Sequence, residues 1–225
     1  RYSSTFKEKA LPEPELPADL NADEWREALR ACKGMVLRQE SYELDVEEFH
    51  AADSKDVPVR IYSAATHNCQ IQRLQPQGDN KHAIFLVTKS EALSYQYELE
   101  LPKGVSTVSP DPRIMHTLNL RYDEYGNPLQ SIAIAYGRVA SNQNANQPQA
   151  GLIDQVQQAT HIVYTETRYT DDVILPTAGS GTANPTRHHR LRLPYEVRTY
   201  EITGIPKPTN RYFNIGDLRK YDWCE

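Results

Sequence analysis

The most constraining feature of the sequence is a strict alternation of apolar and polar residues over positions 93–101. Successive side chains of a β-strand point to opposite faces of a sheet, so a period of two indicates a strand with one buried face and one wet face. Such a strand must pair with others, which favours a sheet over a helical bundle. The apolar positions are Leu93, Tyr95, Tyr97, Leu99 and Leu101.

The same period predicts a hairpin over residues 114–136. Its turn is Asp123-Glu124-Tyr125-Gly126-Asn127-Pro128, and a connection of this length with Gly inside suits a longer or bulged hairpin loop. The predicted inward-facing residues are Ile114, His116, Leu118, Leu120 and Tyr122 on the first strand and Ile132, Ile134 and Tyr136 on the second.

Further strands are expected on either side of these two elements. Residues 82–88 are a nearly continuous apolar run, typical of a strand buried on both faces. Pro194 interrupts another run and indicates a sheet edge or a bulge. A short helical turn is predicted at 152–159, and polar surface loops at 141–151 and 176–186. The remaining predicted strands are 35–45, 57–62, 69–74, 160–169 and 191–202.

One N-terminal helix precedes the strands. Asn21 is the predicted N-cap, Glu24 completes a capping box, and Gly34 is the stop signal. The proline-rich stretch at 11–17 is an extended lead-in. The predicted apolar face of the helix consists of Trp25, Ala28, Leu29 and Cys32.

These elements define a mainly β fold: an antiparallel sheet or meander of about eight strands, with one N-terminal helix and short helical turns. Strands and helices do not alternate, so a parallel α/β fold is disfavoured. We expect residues 1–20 to form the extended lead-in and residues 21–225 the β-rich domain. Because the aromatic-rich end at 212–223 is unlike a frayed terminus, we also expect the chain to be a fragment of a longer polypeptide.

Composition excludes several classes of function. The 225 residues carry 25 Lys and Arg against 30 Asp and Glu, without a basic cluster of the kind that binds nucleic acid. No apolar run is long enough for a membrane-spanning helix. Cys32, Cys69 and Cys224 are widely spaced, which argues against a disulfide scaffold and a structural zinc site and predicts buried or partly exposed thiols.

No nucleophile or metal site is predicted. Ser180 lies between two glycines, but inside a polar loop rather than at a strand-to-helix elbow. His188 and His189 are adjacent on a strand and therefore point in opposite directions. His116 and His161 stand alone in strands and are interpreted as structural or solvated histidines.

Charged side chains near the second loop are candidates for catalysis or calcium binding. Glu166, Asp171 and Asp172 could act as an acid–base pair or bind calcium, although a carboxylate-rich turn explains them as well. A stripe of arginines beside them is interpreted as cross-strand ion pairing with Glu196 and Glu201. The stripe consists of Arg187, Arg190, Arg192 and Arg198.

Four ordered blocks of the sequence carry a resemblance to a known module. The blocks are EWREALRA with KG and LRQE at 24–40, LQPQGDN with HAIFLV at 74–87, DPRI with DEYGN at 111–127, and YEVRTYEITG at 195–204. Their order and spacing resemble the middle/C-terminal region of the TcdB/TcaC-type B component (TcB) of insecticidal toxin complexes, over roughly residues 20–220. The segment RYDEYGN at 121–127 is also similar to the YD unit of RHS repeats.

The resemblance implies a structural function. In this family the B and C components build a hollow RHS-type β-shell around a cytotoxic C-component segment before translocation, and other domains dock on the A component. The chain would supply wall strands of a secreted complex, with no catalytic, cofactor-binding or metal residue and no contact with nucleic acid or membrane. Both sheet faces, one toward the lumen and one toward solvent, are expected to be fairly polar.

Two alternatives to a shell segment remain. The first is a binding module for carbohydrate or a protein partner, with its many tyrosines as the platform, since the chain has 14 Tyr. The second is a hydrolase that uses Glu166, Asp171 or Asp172.

Overall fold

A computed structural model describes residues 8–44, 59–97, 111–139, 150–176, 187–221 and 223. Their main element is a seven-stranded antiparallel sheet in the order β1-β2-β3-β4-β5-β6-β9, with β7 and β8 forming a separate two-stranded sheet. The strands are β1 (Arg38–Leu44), β2 (Val59–Gln75), β3 (Ile84–Gln96), β4 (Arg113–Tyr122), β5 (Pro128–Tyr136), β6 (His161–Tyr169), β7 (Val173–Pro176), β8 (Arg187–Arg190) and β9 (Pro194–Ile202). The helices are α1 (Ala22–Ala31), α2 (Ala150–Gln157) and α3 (Ile215–Leu218).

The mainly β, antiparallel prediction is therefore confirmed, and the predicted hairpin is β4 and β5. Two other predictions are wrong in the same way. The strands predicted at 57–62 and 69–74 form one strand, β2, and those predicted at 82–88 and 93–101 form one strand, β3. Register shifts, including one at Asn68/Cys69, let these long strands stay paired where the side-chain alternation changes. Residues 57, 58 and 98–101 lie outside the described part.

The first half of β3 is not buried on both faces, contrary to prediction. Ile84 is 49% exposed, and residues 85–88 are half-buried. The pairing explains this, because β4 pairs with β3 only over Glu91–Gln96. Among the described strands, residues 84–89 therefore pair with β2 alone.

Helix α1 begins as predicted but docks through a different face. Asn21 accepts hydrogen bonds from the Asp23 and Glu24 backbones, and the Glu24 carboxylate completes the capping box. Of the predicted apolar face, Ala28 is buried and Cys32 packs beside it, whereas Trp25 and Leu29 are 50% and 41% exposed, because Glu24 is buried against the sheet in their place. The Glu24 carboxylate accepts a hydrogen bond from the Gln77 backbone N–H and pairs with Arg73. These polar contacts turn the Glu24 side of the helix, rather than the Trp25 side, toward the sheet.

The remaining boundaries shift modestly. Strand β1 starts at Arg38 rather than at 35, and α2 makes two turns where a single turn was predicted. The strand predicted at 191–202 begins only at Pro194, as β9. Residues 187–190, just before it, form a separate strand that pairs with β7. Strand β9 is at the sheet edge, as Pro194 indicated. The loops predicted at 141–151 and 176–186 lie almost wholly outside the described residues.

One face of the sheet is an apolar core, which contradicts the expectation of two fairly polar faces. Cross-strand pairing aligns Leu93, His116, Ile134, Ile162 and Ile202 in a single row across five strands. This face is covered by the chain's own ends. The covering residues are Leu11 from the lead-in and Ile205, Tyr212, Phe213, Ile215, Leu218 and Trp223 from the C-terminal segment.

The opposite face carries small and polar side chains. The row next to the buried one aligns Ala92, Thr117, Ala133, Val163 and Glu201, all half-buried or exposed. Within the described part of the chain, the sheet therefore has one sealed face and one open face.

Candidate functional site

The most concentrated polar site lies inside the core. His116 is fully buried in β4, and its Nε2 lies 2.7 Å from Glu91 Oε1 on β3. The His116 Nδ1 lies 2.9 Å from the Tyr136 hydroxyl on β5. Lys9, from the lead-in, places its Nζ 2.6 Å from the same Glu91 oxygen. Three strands and the lead-in thus meet at one charged cluster.

The C-terminal segment closes this cluster into a ring. The Phe213 backbone N–H donates to the Tyr136 hydroxyl at 2.9 Å, and Lys9 Nζ donates to the Phe213 carbonyl at 2.9 Å. Since the Tyr136 oxygen accepts from Phe213, its hydrogen is available to His116 Nδ1, and His116 Nε2–H donates to Glu91. We call these five residues, Lys9, Glu91, His116, Tyr136 and Phe213, the buried ring.

The charges of the buried ring follow from its surroundings. Burial lowers the pKa of His116 below its ordinary value despite the neighbouring carboxylate, so the imidazole is neutral at pH 7. Burial raises the pKa of Glu91, but hydrogen bonds from His116 and Lys9 outweigh it and the net shift is downward. Glu91 and Lys9 therefore form a buried ion pair with a neutral histidine beside it. A histidine and a glutamate that are buried this deeply are suited to a structural role. They hold the strands, the lead-in and the C-terminal segment together.

A second site is the turn at residues 123–127, which joins β4 and β5. Asp123 Oδ1 accepts from the backbone N–H of Tyr125 at 2.9 Å and of Asn127 at 2.8 Å. Gly126 has φ +83°, and a Cβ there would lie 3.4 Å from Leu86. Asp123 thus caps the turn with its side chain, and Gly126 supplies the positive φ that the turn requires.

Arg192 holds this turn against the segment before β9. Its guanidinium lies 3.2 Å from Asp123, 2.7 Å from Glu124 and 4.5 Å from the ring centre of Tyr125. Its backbone N–H donates to Asp172 at 2.8 Å. Burial raises the pKa of Asp123, yet hydrogen bonds from Asn127 and Tyr125 and the charge of Arg192 hold it below its ordinary value.

The three candidate acid–base carboxylates have separate environments. Asp172 accepts from the Tyr125 hydroxyl at 2.6 Å, and the bonds from Tyr125 and Arg192 lower the pKa of Asp172 to about 2. Glu166 pairs with Arg168 at 2.9 Å in β6. Asp171 is exposed. Asp172 and Glu166 are thus held as charged partners of arginines, the arrangement of structural ion pairs.

The other sequence-predicted residues are distributed along strands. Arg168 pairs with Glu196 across β6 and β9 at 3.5 Å, and His161 lies 3.3 Å from Glu201. Arg198 pairs with Glu196 on its own strand. Ser180 and Cys224 lie outside the described residues. His188, His189 and Arg190 all lie in β8, and Arg190 is exposed. In the described ranges, no group of three or more His, Cys, Asp or Glu side chains is arranged to hold a metal ion.

Two shallow cavities lie side by side at the end of the sheet where β4 and β5 join. They measure about 400 and 300 Å³ and share Arg121 and Gln130 in their walls. Trp223 and Tyr221 line the first, and Tyr169 and Tyr195 line the second.

Among the described helices, none has the length and apolar content needed to cross a membrane.

Sequence reasoning missed three features of these sites. Lys9 lies 82 positions from Glu91, and no local pattern connects them. The arginine stripe was predicted to pair across strands with Glu196 and Glu201, which is wrong for Arg192, since it pairs with Asp123, Glu124 and Asp172 and clamps the turn. Cys32 and Cys69 are free thiols, as expected, but their sulfurs are only 3.6 Å apart, a proximity that their spacing did not suggest.

The fold and these sites define a class of protein: an antiparallel β-sheet domain whose polar clusters fix turns and chain ends. Residues 27–174 match the family described as the middle/C-terminal region of the insecticide toxin TcdB, which is more than half of the chain. The chain belongs to this family. A search of curated proteins gave no match.

Proposed function

We propose that the chain is a non-catalytic structural segment of the B component of a secreted insecticidal toxin complex. Its strands would form part of the wall of the hollow RHS-type shell that encloses the cytotoxic C-component segment before translocation. The observation that carries this proposal is the sheet itself, which is sealed on one face by its own chain ends and open along an edge strand.

Strand β9 supplies the open edge. Over the described residues no strand pairs with its outer side, and apolar side chains along it are exposed. Tyr195 and Val197 are each 62% exposed, and Tyr200 is 44% exposed. An exposed apolar edge strand is a template for pairing with another strand, and shells built from successive sheet segments use such edges.

The polar sites support a structural function over catalysis. Glu91, His116, Tyr136 and Phe213 of the buried ring are buried in the core, and Glu166 and Asp172 are paired with arginines. A toxin-complex B component works within a multi-component assembly. The proposed partners are the rest of the B-component chain, the C component and, through other domains, the A component, with no nucleic acid or membrane contact by this segment. Residues 1–20 as lead-in and 21–225 as the domain remain part of this proposal.

The alternative of a tyrosine platform for carbohydrate or a protein partner has less support. Tyr95, Tyr97, Tyr136 and Tyr164 are buried in the core and are not available to a ligand. Their rings account for the tyrosine content of the inner strands as packing.

The open edge predicts self-association of the chain expressed alone. We expect light scattering with size-exclusion chromatography to show concentration-dependent oligomers, and Val197→Lys to weaken their association about tenfold. The reason is that Val197 lies on the open face of the edge strand, where a paired strand would place its own side chain beside it, and a charge there weakens that cross-strand contact.

The matched control is Val156→Lys. Val156 lies on α2 and is 63% exposed, against 62% for Val197, so the two changes add the same charge at equal exposure. Val156→Lys should leave the oligomers unchanged. A clean monomer at high concentration, or equal effects of the two variants, would contradict the proposal of an adhesive β9 edge.

A further inference from the structure

The thiols of Cys32 and Cys69 face each other between α1 and β2, and both cysteines are free. Cys32 is the C-cap of α1, and Cys69 lies in the middle of β2, 37 positions along the chain. Their sulfurs are 3.6 Å apart, against about 2.05 Å in a disulfide. A displacement of about 1.5 Å would bring the sulfurs to bonding distance. Cys32 lies at the end of its helix, where backbone hydrogen bonds are fewest.

The surroundings of the pair are apolar. Ala28, Ile71, Phe85 and Val87 pack around the two sulfurs, together with Leu16 and Leu20 from the lead-in. Cys69 is 1% exposed, whereas Cys32 is partly exposed. Burial, with a smaller contribution from the neighbouring Cys32, raises the pKa of the Cys69 thiol to about 12. The two thiols therefore have unequal access to a reagent in solution.

We propose that Cys32 and Cys69 are a redox-active dithiol in which Cys32 reacts first and Cys69 resolves, so that a small-molecule disulfide converts the pair to a Cys32–Cys69 disulfide. The modification is independent of the shell function proposed above, since it rests on this cluster alone. It would tie α1 covalently to the sheet.

The chemistry balances with one molecule of oxidised glutathione. The Cys32 thiolate attacks one glutathione sulfur, the glutathione S–S bond breaks, and one glutathione thiolate leaves. Cys69 then loses its proton and attacks the Cys32 sulfur, which expels the second glutathione thiolate. The two protons from the protein thiols end on the two glutathione molecules. The protein pair is oxidised by two electrons, and oxidised glutathione is reduced.

The covalent bond would add to the existing anchors of α1. Those anchors lie in its first two turns, where Glu24 pairs with Arg73 and accepts from the Gln77 backbone, and Glu27 pairs with His82 and accepts from the Ala83 backbone. The cysteine pair lies at the other end of the helix. Oxidation would therefore fix both ends of α1 to the β2–β3 hairpin.

The test is incubation of the full chain in glutathione redox buffers, in a Cys224→Ser background that removes the third thiol. Mass spectrometry of non-reduced digests should show a crosslink between the peptides of Cys32 and Cys69. The thermal midpoint of the oxidised chain should rise by about 5 °C, because the crosslink restricts the unfolded state.

Single variants distinguish the proposed order. Cys69→Ser leaves the accessible Cys32 without its resolving partner and should accumulate one glutathione adduct. Cys32→Ser leaves the buried Cys69, which should stay unmodified while the chain is folded. The proposal is overturned if both thiols of the parent remain free in oxidising buffer, or if Cys69 rather than Cys32 carries the adduct. Failure of this test would leave the edge-strand proposal intact, since Val197 is in a different strand.

Discussion

Replacing Lys9 with methionine is expected to lower the free energy of unfolding by about 3 kcal/mol, since it removes one partner of a buried ion pair. The Lys9 side chain is 13% exposed and that of Glu91 is 2% exposed. Methionine keeps much of the apolar stem, so the loss comes from leaving Glu91 charged without its cation. For a chain of this size the thermal midpoint should fall by about 6–12 °C.

Lys220→Met is the matched control. Lys220 pairs with Asp217 at 2.8 Å, nearly the distance of the Lys9 pair, but its side chain is 74% exposed. Exposed pairs contribute little, so the control should leave the free energy of unfolding nearly unchanged. Urea unfolding followed by circular dichroism measures both variants. Equal losses would mean that the buried ring does not hold the lead-in to the sheet.

The same measurement from pH 7 to pH 5 tests the charge states of the ring. The pKa of His116 is lowered in the folded chain from its ordinary value of 6.5. The unfolded chain therefore takes up a proton that the folded chain resists, and stability is lost as the pH falls below about 6.5. Lys9 contributes to the lowered pKa of His116, so Lys9→Met should show a shallower decline.

The second large effect is expected at the turn. Asp123→Ala should lower the free energy of unfolding by about 2 kcal/mol, because it leaves several turn donors without their acceptor. Those donors are the backbone N–H groups of Tyr125 and Asn127, the Asn127 side-chain amide and the guanidinium of Arg192. The Asp123 side chain is only 6% exposed, so water replaces the lost acceptor poorly.

Asp171→Ala is the control for this variant. Asp171 lies next to Asp172 but is exposed, and its replacement should change stability by less than about 0.5 kcal/mol. Unfolding in urea again gives both values. If Asp123→Ala were as mild as Asp171→Ala, the network around Arg192 would be incidental to the stability of the hairpin.

The parts of the fold that sequence reasoning predicted are those that depend on neighbours along the chain. The alternation through Ile114, His116 and Leu118 places these residues on one face whatever the rest of the chain does. The turn at 123–127 was predictable because its determinants are local: the Asp123 side chain accepts from the backbones of Tyr125 and Asn127, and Gly126 takes the positive φ. The capping box of α1 was predictable for the same reason, since Asn21 and Glu24 serve each other.

The parts that were not predictable depend on distant contacts. Nothing local distinguishes Lys9 from other lysines, or shows that a charged Glu91 lies beside the buried Leu93. The merging of predicted strands into β2 and β3 depends on bulges such as that at Asn68/Cys69, where two adjacent residues are both buried. The orientation of α1 follows from the contacts of Glu24 with Arg73 and Gln77. The periodicity of apolar residues carries no information about such polar contacts.

In the proposed assembly the β9 edge pairs with a neighbouring strand of the toxin. Hydrogen exchange of the backbone amides of residues 195–202 tests this pairing most directly, compared between this chain alone at low concentration and the complete B component. Alternate amides of an edge strand face outward and exchange quickly. We predict that those amides are protected in the B component while the amides of β5, an interior strand, are unchanged. Equal exchange at 195–202 in the two samples would contradict this pairing.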